Sequence, residues 1–153
     1  MRIFRWLLVS IMLVCAGIAP ARLSAQTVST AEQADLAGPW RGQWTASEGW
    51  LYEAVMTLRV TMAGAVSGEI NWTLRKSARP AEQAKVGMSG VELVRGNYFA
   101  NSSTLILEGY DKRDPNGVIG LDKYRLVVSG NRRTMGGVTG HHDTWNSQFF
   151  LSR

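Results

Sequence analysis

From Tyr52 onward the chain alternates. Tyr52, Ala54, Met56, Leu58, Val60 and Met62 occupy one parity, with Glu53, Thr57, Arg59 and Thr61 on the other. The next segment repeats the pattern, setting Val66, Gly68, Ile70, Trp72 and Leu74 against Ser67, Glu69, Asn71, Thr73 and Arg75. A period of two with one apolar face is the signature of a half-buried antiparallel strand. The small turn Ala63-Gly64-Ala65 between them makes the pair a hairpin.

Carried along the chain, the same reading predicts eight strands. They cover Gly38–Thr45, Leu51–Met62, Ala65–Lys76, Val86–Phe99, Thr104–Tyr110, Val118–Ser129, Thr134–Thr139 and Thr144–Ser152. In the fourth, alternation slips near Gly90, where a bulge would explain it. Gln26–Asp35 is polar and without period, a flexible lead-in or one short helical turn, and no later stretch sustains a helical period. Consecutive short strands with one apolar face fit an all-β, eight-stranded antiparallel up-and-down barrel, whose closure removes exposed sheet edges. A two-sheet β-sandwich satisfies the same periodicity and is the alternative.

Antiparallel order sorts the connections between two ends. One end collects Ala63-Gly64-Ala65, the turn near Ala100–Ser102, and Ser129–Arg133. The other collects Ala46–Trp50, Ser77–Lys85, Asp111–Gly117 and Gly140–Asp143, which are longer and richer in Arg, Asp, Glu, His and Trp. Binding residues concentrate on loops carried by a rigid scaffold, so the second end is the candidate mouth. An interior of eight strands is wide enough for side chains or for one small ligand.

The N-terminus changes the composition. Arg2 and Arg5 precede an apolar run from Trp6 to Ile18, broken only by Ser10 and Gly17, and small residues follow. This is the three-part pattern of a secretory signal peptide, cut after Ala25 or alternatively after Ala21. The run is shorter than the ~20 residues that span a bilayer, so no membrane span is expected after cleavage. The expected organisation is a signal peptide over residues 1–25, a lead-in over 26–36 and one barrel domain over 37–153. Localisation is then periplasmic or secreted. Removing residues 1–25 takes away Arg2, Arg5 and Arg22 and lowers the formal charge from +5 to +2. The apparent basicity belongs partly to the targeting segment, and no nucleic-acid footprint remains. Cys15, the sole cysteine, is lost as well, which excludes disulfides and thiol chemistry in the mature chain.

Gly140-His141-His142-Asp143-Thr144 contains both histidines of the sequence. A zinc site needs three or four ligands, and these would require Asp143 with Asp111, Asp114 or Glu48 from neighbouring loops. The plainer reading is a polar hairpin turn. Asp114-Pro115-Asn116-Gly117 superficially suggests a calcium loop, but Lys112 and Lys123 fall where the first and twelfth ligands belong, so it too reads as a turn. No nucleophile elbow, phosphate-cradling glycine loop, thiol or paired acid set emerges, and no cofactor is expected.

Trp40, Trp44, Trp72 and Trp145 share core-facing parity, whereas Trp50 lies at the loop end and is the first candidate for stacking on a ligand or partner. Tyr52 and Tyr124 face inward and would place polar hydroxyls in an apolar interior. The candidate ligand-binding set is therefore Trp50, Tyr52, Trp72, Tyr124, His141, His142 and Trp145.

Gly38-Pro39-Trp40, opening the first strand, resembles the G-x-W signature of calycin-type barrels, the lipocalin and avidin-like families. The resemblance implies an eight-stranded barrel with the tryptophan at its closed end, packed on a basic side chain from the last strand. Arg153 is placed to fill that role. It covers the architecture and these two residues; lipocalin inner motifs and the avidin biotin-contact pattern are absent, so neither lipid nor biotin binding follows.

Three functional expectations result. The leading one is an exported barrel holding a small, largely apolar molecule in its interior. The second is a filled barrel gripping an envelope or extracellular protein partner through Trp50, Arg79, Glu82 and Arg113. The third is an enzyme using His141 or His142 as acid and base. Interior volume separates the first two, because the same Met, Leu and Trp residues fill a barrel or line it.

Overall fold

The alternation is realised as a closed barrel. The computed structural model describes residues 27–141 and 144–153, and its eight strands pair antiparallel in sequential order, the last returning to the first. They are β1 (Gly38–Ala46), β2 (Leu51–Val60), β3 (Ala65–Lys76), β4 (Ser89–Phe99), β5 (Thr104–Arg113), β6 (Lys123–Val128), β7 (Thr134–His141) and β8 (Thr144–Ser152). Closure runs through β1 and β8, where Trp44 lies opposite Phe149 and Gly42 opposite Leu151. The sandwich is thereby excluded.

Inward positions carry the apolar residues that the period assigned to them. Trp40, Met56, Leu58, Ile70, Leu105, Leu107, Leu126 and Phe149 are buried inside one continuous core. Many outward positions are polar and in places paired across strands, as in Arg75–Glu53 at 2.6 Å, Arg95–Glu108 at 2.8 Å and Arg113–Glu69 at 2.9 Å, while Phe99, Ile106, Val127, Val138 and Phe150 are exposed apolar exceptions. Among the described residues no helix is long and apolar enough to cross a membrane.

Boundaries differ from the expectation in two instructive places. β4 begins at Ser89 rather than Val86, because residues 86–88 belong to the connection that follows a 3-10 turn at Pro80–Lys85. From Gly90 onward β4 alternates without a slip, and the irregularity lies between Leu93 and Val94, where Tyr110 of β5 is the extra residue. β6 starts at Lys123, not Val118; residues 114–122 form a loop that folds over the barrel end. Asp114 organises that loop by accepting hydrogen bonds from the N–H groups of Val118 and Ile119, both at 2.9 Å. Burial acts to raise its carboxyl, but these N–H groups and Lys112 more than offset that, leaving its pKa below the ordinary value. The Asp-Pro-Asn-Gly segment is thus a turn with its carboxylate satisfied by backbone.

The lead-in includes a helix, α1 (Thr30–Leu36). Ser29 and Glu32 form a reciprocal capping box, each side chain accepting from the other's backbone N–H at 3.2 Å. Leu36 is fully buried in the core cluster, and its carbonyl accepts the Trp40 indole N–H at 3.0 Å. Arg132 ties the helix down, reaching Glu32 at 2.6 Å and the Tyr98 hydroxyl. Arg153 lies 4.0 Å from the centre of the Trp40 ring and donates to the Ala37 carbonyl at 2.8 Å. The end carrying Trp40 is therefore closed.

Candidate functional site

At the opposite end the packed core stops short. A cavity of about 750 Å³ opens there, bounded by the 47–50, 77–88 and 114–122 connections and by the last turns of the strands. The barrel is accordingly filled at one end and hollow at the other. Strand geometry decides which side chains meet in the hollow. Trp44, Tyr52, Trp72, Glu92, Tyr124 and Ser147 come from six different strands and all line it.

One wall is aromatic. Trp50 stacks on Tyr52 with ring centres 6.3 Å apart and planes within 19°. Tyr52 meets Trp44 and Trp72 edge-on at 5.5 and 6.1 Å. Trp72 and Tyr124 in turn rest on Phe149, at 5.0 and 5.9 Å. Hydrogen bonds fix the polar edges of these rings. Trp44 donates to the Thr139 hydroxyl at 2.6 Å, and Tyr52 donates to the Val118 carbonyl at 2.6 Å. Burial pushes the Tyr52 phenol up to about 12. At the rim the Arg79 guanidinium sits 5.9 Å from the Trp50 ring centre, a cation–π contact within the chain.

The other wall is acidic. Glu92, 2% exposed, lies on the inward face of β4. Its Oε2 accepts the Trp72 indole N–H at 3.0 Å and the Tyr124 hydroxyl, and its Oε1 accepts the Asp122 N–H at 3.0 Å. Burial pushes the Glu92 carboxyl up to about 7 against these stabilising bonds. Asp122 lies beside it and is pushed up to about 6, again by burial, with His141 acting in the opposite sense. Burial and the neighbouring carboxyls hold Tyr124 well above its ordinary value, so it remains a neutral donor. Among the described residues no buried side-chain nitrogen or oxygen lacks a hydrogen-bond partner.

Of the residues singled out from sequence, Trp50, Tyr52, Trp72, Tyr124 and His141 line the cavity together. His141 Nδ1 is 2.8 Å from the Leu121 carbonyl and 3.7 Å from Asp122. His142 and Asp143 lie outside the described residues. Trp145 keeps the parity of Phe149 and Leu151, but it sits beyond the enclosed part of β8, is 48% exposed and does not line the cavity. Among the described residues no group of three or more His, Cys, Asp or Glu side chains is arranged to hold a metal. The surface set Glu82 and Arg113 is engaged elsewhere, Glu82 with Lys85 at 2.8 Å and Arg113 with Glu69 on the barrel exterior.

Glu92 and Asp122 are the residues sequence reasoning missed. The signal for Glu92 was present: in Gly90-Val91-Glu92-Leu93-Val94 the glutamate shares parity with Val94 and Tyr98, both inward. Starting the strand at Val86 and putting the slip near Gly90 obscured it. For Asp122 there was no signal, because it lies on a loop placed only by the tertiary fold.

The fold and site together define a closed antiparallel barrel with one open, partly polar end. No protein-family model matches the chain, and no curated protein matches it. Solved structures do. A redesigned β-barrel, mFAP0, bound to DFHBI, is similar with a TM-score of 0.56 at 12% identity, over 78% of this chain and 99% of that one. A second, mFAP1, also bound to DFHBI, gives a TM-score of 0.55 at 11% identity, over 79% of this chain and 97% of that one. At such identities the likeness is one of fold.

Proposed function

We propose that this protein is an exported barrel that binds a small, flat, largely apolar molecule in the hollow end of its interior. The observation that carries the reading is the cavity of about 750 Å³, open at the loop end and walled by Trp44, Trp50, Tyr52 and Trp72. Ligand sites are typically concave, mostly apolar and furnished with a few converging polar groups, and their volumes run about 300–1,000 Å³. The two redesigned barrels of similar fold are bound to DFHBI, which supports a barrel of this size as a container for a small molecule.

Export rests on the Arg2, Arg5 and Trp6–Ile18 pattern and on a mature chain free of cysteine. Kinship with calycin-type barrels rests on Gly38-Pro39-Trp40 and on the Arg153 guanidinium over the Trp40 indole at the closed end. Calorimetric titration of the purified protein with flat aromatic probes tests the binding reading. Saturable binding that Trp50→Ala weakens supports it; no heat and no change in tryptophan fluorescence with any probe defeats it. N-terminal sequencing of the protein recovered from the periplasm or medium tests export, with Gln26 or Arg22 as the expected first residue.

A further inference from the structure

We propose that the cavity selects a flat ligand bearing a protonated nitrogen, seated against the Glu92 carboxyl with its ring along Trp50, Tyr52 and Trp72. This rests on the small-molecule reading above and names the class of molecule.

The protein places two carboxyls on the cavity wall, with Arg79 at the rim and His141 3.7 Å from Asp122. Glu92 and Asp122 both line the cavity, and among the described residues no lysine or arginine pairs with either. Lys112, the strand partner of Glu92 on β5, carries its ammonium away to Asp114 and the Ile119 carbonyl. Arg79 is held at the rim over Trp50. An ionised carboxylate offers about four acceptor sites, and the protein fills three on Glu92, with Trp72, Tyr124 and Asp122. The remaining site belongs to a group that lines the cavity, and a ligand N–H of positive charge completes it. The neighbouring aromatic faces attract a cation through their ring quadrupoles, as Trp50 already does with Arg79. An anionic ligand of the same shape meets two carboxyls instead.

Protonation couples to such binding. A cation beside Glu92 favours its charged form, so the complex forms with proton release wherever the free protein holds that proton. Trp72 on β3, Tyr124 on β6 and the Asp122 N–H on the 114–122 loop contact Glu92 directly; Lys112 is its register partner on β5 but reaches Asp114 and Ile119, and His141 on β7 lies beside Asp122. Tyr124 stays neutral, which leaves Glu92 and Asp122 to set the profile.

The test is a matched series on one ring system: 2-naphthylmethylamine (protonated at neutral pH), 2-naphthylmethanol and 2-naphthoate, titrated calorimetrically into the purified protein. At pH 8 the ammonium probe binds roughly 10- to 100-fold more tightly than the alcohol, the worth of a charged hydrogen bond, and the carboxylate binds weakest. Below about pH 7 the ammonium probe weakens by up to about tenfold per pH unit while the alcohol does not. Glu92→Gln removes the preference and leaves the alcohol bound. If that variant fails to fold, the wild-type pH profile and Asp122→Asn, which narrows the preference, carry the test. Equal binding of the three probes, or a preference that survives in Glu92→Gln, overturns this inference and leaves the small-molecule reading intact. Binding of none of the three defeats both.

Discussion

Gly109 and Glu92 share one space. A Cβ at position 109 would lie 1.9 Å from Glu92 Oε1 and 3.2 Å from the Asp122 backbone nitrogen, so a side chain there and the seated carboxyl exclude one another. The Gly109 N–H also donates to the Asp122 carbonyl at 2.8 Å, which fixes the loop that answers Glu92. Gly109→Ala therefore pushes the carboxyl off the Asp122 N–H or forces β5 outward. Overpacking of this kind costs about 1–3 kcal/mol. Urea unfolding measures it, and a Gly109→Ala protein of unchanged stability would show that the carboxyl is not held where it is described.

The buried acids set the pH dependence of stability. Glu92 titrates near 7 in the fold and Asp122 near 6, both above their ordinary values through burial. A raised folded pKa contributes stability that is fully present below the unfolded value and is lost as pH rises through the folded one. Stability should therefore fall between about pH 4 and pH 8, by on the order of 3 kcal/mol for Glu92. Glu32 works in the opposite sense, since its bond from the Ser29 N–H and its pairing with Arg132 lower its pKa; its contribution is lost only as pH falls below the ordinary carboxylate range. In Glu92→Gln the difference between unfolding free energies at pH 5 and pH 8 shrinks. An undiminished difference would remove Glu92 from the account.

Trp50 and Leu36 separate binding from folding. Leu36 is fully buried at the closed end, and truncating such a residue to Ala costs about 2–5 kcal/mol. Trp50 is only partly buried at the rim, stacked on Tyr52 and capped by Arg79. Trp50→Ala should cost about 1 kcal/mol or less, in line with loss of one aromatic contact, yet weaken a flat probe measurably. Leu36→Ala should do the reverse under conditions where it remains folded. Thermal unfolding and probe titration on both variants give the comparison, and a Trp50→Ala protein that binds as well as wild type would take that ring out of the site.

The sequence displayed the barrel more fully than the pocket, and the reasons are particular. Alternation from Tyr52 to Met62 and from Val66 to Leu74 is local, so β2 and β3 could be read residue by residue. The mouth could be assigned because antiparallel order alone sends alternate connections to opposite ends. Trp50, Tyr52, Trp72 and Tyr124 followed from parity. The Glu92–Asp122 pairing did not, because it depends on the bulge at Tyr110 and on a loop folded back by Asp114. α1 was legible only as the alternative of one short helical turn, for a different reason. Seven residues are too few to display a helical period, and only the Ser29–Glu32 capping pair marks its start.

Arg153 gives the last prediction, at the end of the barrel remote from the cavity. Its guanidinium lies 4.0 Å from the Trp40 ring centre, and its N–H donates at 2.8 Å to the Ala37 carbonyl. That bond joins the last residue of the chain to the segment linking α1 to β1. A cation–π contact contributes about 0.5–2 kcal/mol and a hydrogen bond about 1, so Arg153→Ala should lower stability by about 1–2 kcal/mol. Arg153→Lys keeps the charge but loses the planar face and the fork of donors, and should recover only part of that. Because Trp40 is sealed from the cavity by the packed core, neither variant should alter probe affinity while the protein is folded. Denaturant unfolding and calorimetric titration on the same preparations check both halves. Equal stability of wild type and Arg153→Ala would mean that Trp40 is held by burial and its hydrogen bond to the Leu36 carbonyl without help from Arg153.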